Sequence, residues 1–328
     1  MLNFFKRNIK YIIIYIVLII LLLIEFPYYI EAPGGTIDIS NRINIENSYK
    51  SSGTLNLSYV SEYKATIITL IIFLFNSDYK VLSKNDVIPD NINIKDYEYR
   101  DSIMLKEAYS NAIYLGYTKA NKNVIVNSEK VYVNSIFEES DTTLKVGDEI
   151  LEVNNIKINS KEDIDNIIKN FNVGDTIDIK IIGNNKTDIK HATLIEYENN
   201  PIIGIIVSKI KDMDTTPKIN INYKARESGP SGGLMLALSV YNSLTESDIT
   251  KGMKIVGTGT IDEYGNVGSI GGVEYKLKGA VKDKADIFLV PNGENYEAAI
   301  KLKKEKKYKI KIKGVSTFDE ALEYLSST

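Results

Sequence analysis

The sequence predicts a multidomain α+β protein that is attached to a membrane by an N-terminal transmembrane helix. Three observations lead to this fold class. A long apolar run lies near the N-terminus, apolar residues alternate with a period of two from about residue 122, and strand and helix patterns alternate after residue 200. These patterns divide the 328 residues into four parts, which are residues 1–31, 32–119, 120–199 and 200–328.

The first part contains uninterrupted apolar sequence from Tyr11 to Ile24, and the run continues past Glu25 to Ile30. About 20 apolar residues cross a bilayer as a helix, so residues 11–30 are long enough. A cleavable signal peptide is the competing interpretation, but no small-x-small cleavage site precedes residues 31–33. Basic residues before the run and acidic residues after it predict a single-pass protein of the cell membrane, with a cytoplasmic N-terminus and an extracytoplasmic remainder.

Residues 32–119 carry weaker patterns and no chemical signature. Thr54 to Val60 alternate as a strand does, and residues 102–117 have an imperfect helical stripe. A second apolar run, Ala65 to Phe75, is too short for a membrane span and predicts a buried or membrane-apposed helix. The helical stripe indicates packing, and the sequence gives no hypothesis for the chemistry of residues 32–119.

The third part, residues 120–199, predicts a small β-rich domain. Strand patterns cover residues 131–136 and 177–182, and Leu144 to Asn155 has the pattern of a turn, a strand and a tight turn. Ser160 is placed to cap a helix whose apolar face is formed by Ile164, Ile167, Ile168 and Phe171.

The last part, residues 200–328, alternates strands and helices in an α+β pattern. Within it, Gly229-Pro230-Ser231-Gly232-Gly233 places a serine in a tight turn directly before an apolar helical run. The start of a helix presents unpaired N–H groups, so a serine hydroxyl there lies beside donors that could hold an oxyanion. The competing interpretation of this loop is a glycine-rich turn that opens a buried helix.

Composition limits which base could activate such a serine. The chain has one histidine, His191, in a polar stretch, and no cysteine, which excludes Cys-His chemistry and cysteine-bearing zinc sites. A lysine in an apolar surrounding can be neutral near pH 7, so Ser-Lys chemistry stays open. Lys276 borders the apolar face of a predicted helix that follows Gly272.

Three spaced motifs resemble the proteolytic domain of Lon proteases (endopeptidase La). They are the Gly229–Gly233 loop, Gly257-Thr258-Gly259-Thr260, and Gly271-Gly272 followed after three residues by Lys276. The resemblance implies that Ser231 is the nucleophile, that Lys276 is the general base and that Thr258 helps to position the lysine. It also implies that backbone N–H groups near Ser231 and Gly232 hold the oxyanion. The chain departs from the family at Ser228 and Thr260, where acidic residues are common.

The run Leu144-x-x-Gly147-Asp148-x-Ile150-x-x-Val153 resembles a PDZ domain. Such domains bind an extended peptide, usually a free C-terminus, by adding a strand beside a helix. The resemblance places the groove beside residues 161–171. No clear glycine-rich carboxylate-binding loop precedes Val131, so a β-rich spacer is the alternative interpretation.

Together the parts resemble the membrane-anchored, PDZ-containing Lon-like serine proteases of the YlbL type. The resemblance implies an endopeptidase that cleaves protein substrates outside the cytoplasm, without metal or cofactor, and it allows for a homo-oligomer. No Gly-x-x-x-x-Gly-Lys-Ser/Thr loop occurs, so we expect ATP-independent proteolysis. The net charge of −3 gives no indication of a nucleic-acid partner. The alternative function is a non-catalytic PDZ adaptor at the membrane, and a signal-peptidase-like role is a weaker third reading.

Overall fold

The computed structural model describes residues 2–76, 78–88, 93–183, 185–224 and 227–328. The elements of the N-terminal half are α1 (Leu2–Leu22), β1 (Glu25–Asp38), a 3-10 turn (Ile39–Asn41), β2 (Ile43–Ile45), β3 (Thr54–Thr66), α2 (Ile67–Leu74), β4 (Lys80–Ser83), α3 (Lys84–Val87), α4 (Ile94–Lys119), β5 (Asn123–Ile136), β6 (Asp141–Thr142), β7 (Glu149–Val153), β8 (Ile156–Lys157) and α5 (Lys161–Ile168).

The elements of the C-terminal half are β9 (Thr176–Gly183), β10 (Lys186–Thr193), β11 (Ile195–Tyr197), β12 (Asn200–Ile202), β13 (Ile205–Thr216), β14 (Ile219–Ile221), α6 (Gly233–Leu244), β15 (Lys254–Gly257), β16 (Thr260–Ile261), β17 (Val267–Gly268), α7 (Val273–Lys282), β18 (Ile287–Pro291), α8 (Glu294–Lys306), β19 (Lys311–Val315) and α9 (Phe318–Ser327).

The N-terminal helix ends earlier than the apolar run suggests. It ends at Leu22, and the chain then enters β1, where Ile30 pairs with Tyr63 of β3 and Val81 of β4. The expected single helix over residues 11–30 is therefore not present, because the β-branched and aromatic residues that follow Glu25 suit a strand equally well. No helix in the described ranges is both long enough and apolar enough to cross a membrane.

A six-stranded mixed sheet in the order β19-β18-β15-β3-β1-β4 forms the centre of one structural unit. β15 pairs in parallel with both β3 and β18, whereas β1 is antiparallel to β3 and β4. Strands from residues 25–83 therefore complete a sheet whose other members, β15, β18 and β19, lie beyond residue 253. The sequence-based boundary at residue 200 separates segments that pair here side by side.

A seven-stranded antiparallel sheet forms the second unit, in which β13, β5, β7, β9, β10 and β6 follow in order and β8 pairs with β7. α5 covers this sheet with Ile164, Ile167 and Ile168 buried, and the Ser160 hydroxyl accepts the N–H of Asp163, as the capping prediction requires. α4 and α6 pack against each other in the core of the first unit. Because α4 also contacts β5 and β13, it joins the two units.

Candidate active site

The serine loop is held by backbone contacts to the segment after β15. The carbonyl oxygen of Ser231 accepts a hydrogen bond from the N–H of Gly259 at 2.7 Å, and α6 begins two residues later. A side chain at Gly233 would bring its Cβ to 3.0 Å from the backbone nitrogen of Ile261, so only glycine permits this close approach. Gly233 therefore lets α6 start against β16.

The helical pattern places Lys276 at the edge of an apolar face. In the structure the residue lies inside the protein. Only 4% of the residue is exposed, and burial lowers the pKa of its ammonium from 10.5 to about 8. Its Nζ donates a hydrogen bond to Thr258 Oγ1 at 3.2 Å. By contrast Lys278, which the pattern points to water, forms an ion pair with Asp78.

Thr258 connects the lysine to the serine loop. It is fully buried, accepts from Lys276 and donates its hydroxyl to the Ser231 carbonyl oxygen at 3.0 Å. No hydrogen bond joins Ser231 Oγ to Lys276 Nζ in the described part of the chain. The structure thus brings the three residues together through Thr258, with the serine hydroxyl and the amine not yet in contact.

The backbone around the serine offers donors as well. The amide N–H groups of Ser231 and Gly232 precede α6 and have no acceptor among the described residues. Two neighbouring N–H groups without acceptors at a helix start can hold a negatively charged oxygen. Gly232 therefore lies where the sequence places it, at the candidate oxyanion site.

A mostly apolar cavity of about 340 Å³ opens at Ser231. Its apolar lining comes from β1, β3, α4 and α6, and consists of Ile37, Leu57, Val60, Leu105, Tyr109 and Leu236. Five of these side chains belong to residues 32–119, for which the sequence indicated no chemical role. The alternation of residues 54–60 predicts the strand that forms one wall of the cavity. It does not predict that this strand lies beside the serine loop, because β3 pairs with β15, about 200 positions away.

A neighbouring cavity carries carboxylates. A second cavity of about 520 Å³ shares Val60, Glu227 and Ser228 with the first and is also lined by Glu62 and Asp101. Burial raises the pKa of both of these carboxyl groups. The Arg42 Nε donates to Glu227 at 2.7 Å and fixes the loop that precedes the serine, a contact that no sequence motif indicated.

Another cavity, of about 410 Å³, lies in the second unit, between α5 and residues 200–207. Gly204 has a φ of +76° and its carbonyl oxygen accepts from Phe137 N–H and from Ser140 Oγ, so Ile203-Gly204-Ile205 forms a fixed turn at the head of the groove. β13 follows as the edge strand of the sheet. No clear glycine-rich loop precedes Val131 in the sequence, whereas the glycine-containing loop beside the groove comes after α5 in the chain.

His191 lies on β10 of the second unit, where its Nδ1 is 2.8 Å from Asp178 Oδ1 and both side chains are exposed. This position belongs to the seven-stranded sheet, while Ser231 precedes α6 of the first unit. The surface role expected for this histidine therefore agrees with its exposure.

The comparisons with known proteins concern the same two units. Residues 222–327 match the family model of the Lon protease (S16) C-terminal proteolytic domain, and residues 103–190 match that of the PDZ domain. No curated protein matches the chain.

Among solved structures, the PDZ domain of the SdrC-like protein from Listeria innocua is 32% identical, covering 24% of this chain and 92% of that one, with a TM-score of 0.23. The PDZ domain of the SdrC-like protein from Listeria monocytogenes is 28% identical, covering 24% of this chain and 85% of that one, with a TM-score of 0.22. By its two family matches, the chain carries a Lon protease C-terminal proteolytic domain, which is a serine peptidase domain, together with a PDZ domain.

Proposed function

We propose that this protein is an ATP-independent serine endopeptidase of the membrane-anchored, PDZ-containing Lon-like (YlbL) type, which uses Ser231 as nucleophile and Lys276 as general base. The observation that carries the proposal is the buried Lys276 amine, whose pKa is about 8 and whose hydrogen bond to Thr258 leads to the serine loop. A lysine that is partly neutral near pH 7 is what activation of a serine hydroxyl requires.

In this mechanism the neutral Lys276 amine accepts the proton of Ser231 Oγ as the oxygen attacks the scissile carbonyl. The oxyanion accepts hydrogen bonds from the N–H groups of Ser231 and Gly232. The Lys276 ammonium then protonates the departing amine, and the neutral lysine activates the water that hydrolyses the acyl-enzyme. Contacts of this kind are often long without substrate, so the missing Ser231–Lys276 hydrogen bond is expected to form when a peptide fills the cleft.

The apolar cavity at Ser231 supports peptide substrates with an apolar side chain next to the cleaved bond. An apolar substrate side chain would remove the leucine, isoleucine and valine surface of the cavity from water, whereas a charged side chain would leave that surface hydrated. The N-terminal apolar helix supports attachment to the membrane, because its large side chains from Ile13 to Leu23 are mostly exposed. The preference for an apolar substrate side chain and the attachment to the membrane are both part of this proposal.

ATP independence is tested by assaying purified full-length protein on an unfolded protein substrate with and without ATP and Mg²⁺. The two rates should agree, since the sequence has no phosphate-binding loop. Ser231→Ala protein is the control for contaminating proteases. A several-fold stimulation by ATP would sink this part of the proposal, and an inactive wild type would favour the adaptor function.

The rate of peptide hydrolysis should rise with pH. Because the lysine must be neutral and burial lowers its pKa to about 8, the active form increases from pH 7 upward. A single group of that pKa gives a gain in kcat/KM of about tenfold between pH 7 and the plateau. The measurement is a pH–rate profile on a peptide without titrating side chains. A limb near pH 6.5 would instead indicate a histidine base.

Thr258→Val should lower kcat/KM by about 10²-fold, because the loss of its hydroxyl frees both the Lys276 amine and the serine loop. Valine has nearly the same shape, so the buried packing is retained. Thr258→Ser keeps the hydroxyl and should stay within a few-fold of wild type. Equal activity of the valine and serine variants would remove Thr258 from the proposed site.

The PDZ groove is proposed to select substrates by their C-terminal tails. An extended peptide can add to the edge of β13 beside α5, at residues 205–207, with its terminal carboxylate at the Ile203-Gly204-Ile205 turn. A peptide with an apolar last residue should bind, and its C-terminal amide should bind about tenfold more weakly because charged hydrogen bonds are lost. Fluorescence anisotropy on Ser231→Ala protein measures both. Equal affinities would mean that the groove does not read a free C-terminus.

A further inference from the structure

The helix α2 exposes apolar side chains to an unusual degree. Its sequence is Ile-Ile-Thr-Leu-Ile-Ile-Phe-Leu, and none of its eight residues is buried. Leu74 is 75% exposed, and Phe75, which follows it, is 87% exposed, the largest value for a large hydrophobic side chain in the described part of the chain. The one polar side chain, Thr69, bonds back to the carbonyl oxygens of Lys64 and Thr66. The surface of α2 is therefore apolar.

Apolar residues lie on all sides of α2: Ile68, Ile71, Ile72 and Leu74 form one broad exposed face, and Ile67, Leu70 and Phe73 are half-buried. A helix that docks on one face of a protein partner has an apolar stripe and a polar opposite face, whereas a helix that is apolar all round fits a core or a lipid phase. Ile68, Ile71 and Ile72 are exposed together with Leu74 and Phe75, so they line no core of this chain. Among the described residues of α2, no polar side chain interrupts this broad exposed face, and lipid is the partner whose chemistry matches it.

The position of α2 in the fold supports the same partner. α1 ends three residues before Glu25, α2 begins directly after Thr66, and Glu25 is paired with Thr66 in the β1–β3 ladder. Both apolar helices therefore leave the same end of one pair of strands, and they contact each other.

The base of the two helices has the composition of a membrane–water interface. Glu25 and Lys64 form an exposed ion pair of 2.8 Å at that end of the ladder. Phe26, Tyr28 and Tyr63 are exposed on the adjoining strand residues. Aromatic side chains of this kind are enriched where acyl chains meet headgroups.

We propose that α2 and Phe75 insert into the acyl-chain boundary of the bilayer beside α1, as a second and interfacial membrane contact. Eight helical residues rise about 12 Å, too little to cross a bilayer but enough to lie within one leaflet. The inference rests on the proposed membrane attachment. It adds that β1 and β3, which line the cavity at Ser231, are held at the membrane at two points.

The chain contains no tryptophan, so one introduced residue reports its own surroundings. Full-length Phe75→Trp protein is reconstituted into phosphatidylcholine–phosphatidylglycerol vesicles whose acyl chains are brominated. Its emission should shift to shorter wavelength and be quenched by bromine, as should that of Ile16→Trp in α1. Tyr49→Trp is the matched control, since Tyr49 is 44% exposed and precedes β3 at the end opposite Thr66, so its emission should stay unquenched.

Comparing the tryptophan in α1 with the tryptophan after α2 distinguishes membrane attachment by α1 from insertion of α2. Quenching of Ile16→Trp without quenching of Phe75→Trp overturns the insertion of α2 and leaves membrane attachment intact. Absence of quenching at both positions overturns both. Equal quenching of Tyr49→Trp and Phe75→Trp would mean unspecific adsorption and would also contradict the proposal.

Discussion

Replacing Lys276 with methionine should lower kcat/KM for peptide hydrolysis by about 10³-fold or more, since the proposed general base is lost. Methionine is unbranched and apolar, so it can occupy the buried position of a residue that is only 4% exposed. Arginine is a poorer choice at this site, because its larger head would stay charged where burial already disfavours the lysine ammonium.

Lys282→Met is the matched control for this variant, because Lys282 is exposed on the same helix α7 and its loss should leave the rate unchanged. Thermal unfolding of both variants shows whether the fold is retained. Since Ser231 and Lys276 are proposed to act as one unit, adding Ser231→Ala should make Lys276→Met little worse. A folded Lys276→Met protein with a tenth of wild-type activity would rule out lysine as the base.

Lys211→Met should lower the free energy of unfolding by about 3–5 kcal/mol, because it leaves the largely buried Glu129 carboxylate without its cation and leaves Glu263 with Lys209 alone. The Lys211 side chain is 3% exposed, and its Nζ is 2.6 Å from both Glu129 and Glu263. Burial alone lowers the pKa of Lys211, but the hydrogen bonds to the two carboxylates outweigh it and leave that pKa above its ordinary value.

This ion cluster joins the two units. Glu129 lies on β5 and Lys211 on β13 of the seven-stranded sheet, whereas Glu263 follows β16, directly after the Thr258 segment. The Lys211 amide also donates to Ser110 Oγ of α4. The PDZ sheet is thereby fixed to the loop that continues from the candidate active site.

Urea denaturation monitored by circular dichroism measures the loss of stability. Lys130→Met is the control, because its ion pair with Glu149 is exposed on the lysine side and should contribute no more than about 1 kcal/mol. Adding Glu129→Gln to Lys211→Met should restore part of the stability, since it removes the carboxylate that has lost its cation, whereas Glu263 keeps its ion pair with Lys209. If the Lys211 and Lys130 variants unfold at the same urea concentration, the cluster does not stabilise the fold.

The local parts of the fold follow from the sequence, and the non-local parts do not. The cap at Ser160 and the starts of α6 and α7 depend on neighbouring residues, so patterns and motifs locate them. The pairing of β3 with β15 joins residues about 200 positions apart, and neither strand records its partner. The walls of the cavity at Ser231 were missed for the same reason.

The end of α1 shows a different limit. An apolar run with isoleucine, phenylalanine and tyrosine is compatible with both a membrane helix and a β-strand. The residues from Glu25 onward form a strand because they pair with β3 and β4. At the site, the motif spacing indicated Ser231, Thr258 and Lys276, but the full burial of Thr258 and of the lysine depends on β-strands from residues 25–66 that carry no motif.

Labelling with a serine-directed fluorophosphonate probe, followed by mass spectrometry of the modified peptide, tests the proposed catalytic serine most directly. The proposal predicts one adduct on Ser231, no adduct in Ser231→Ala, and strongly slowed labelling in Lys276→Met but not in Lys282→Met. An adduct on another serine, or labelling of Ser231 that does not depend on Lys276, would contradict the Ser-Lys assignment.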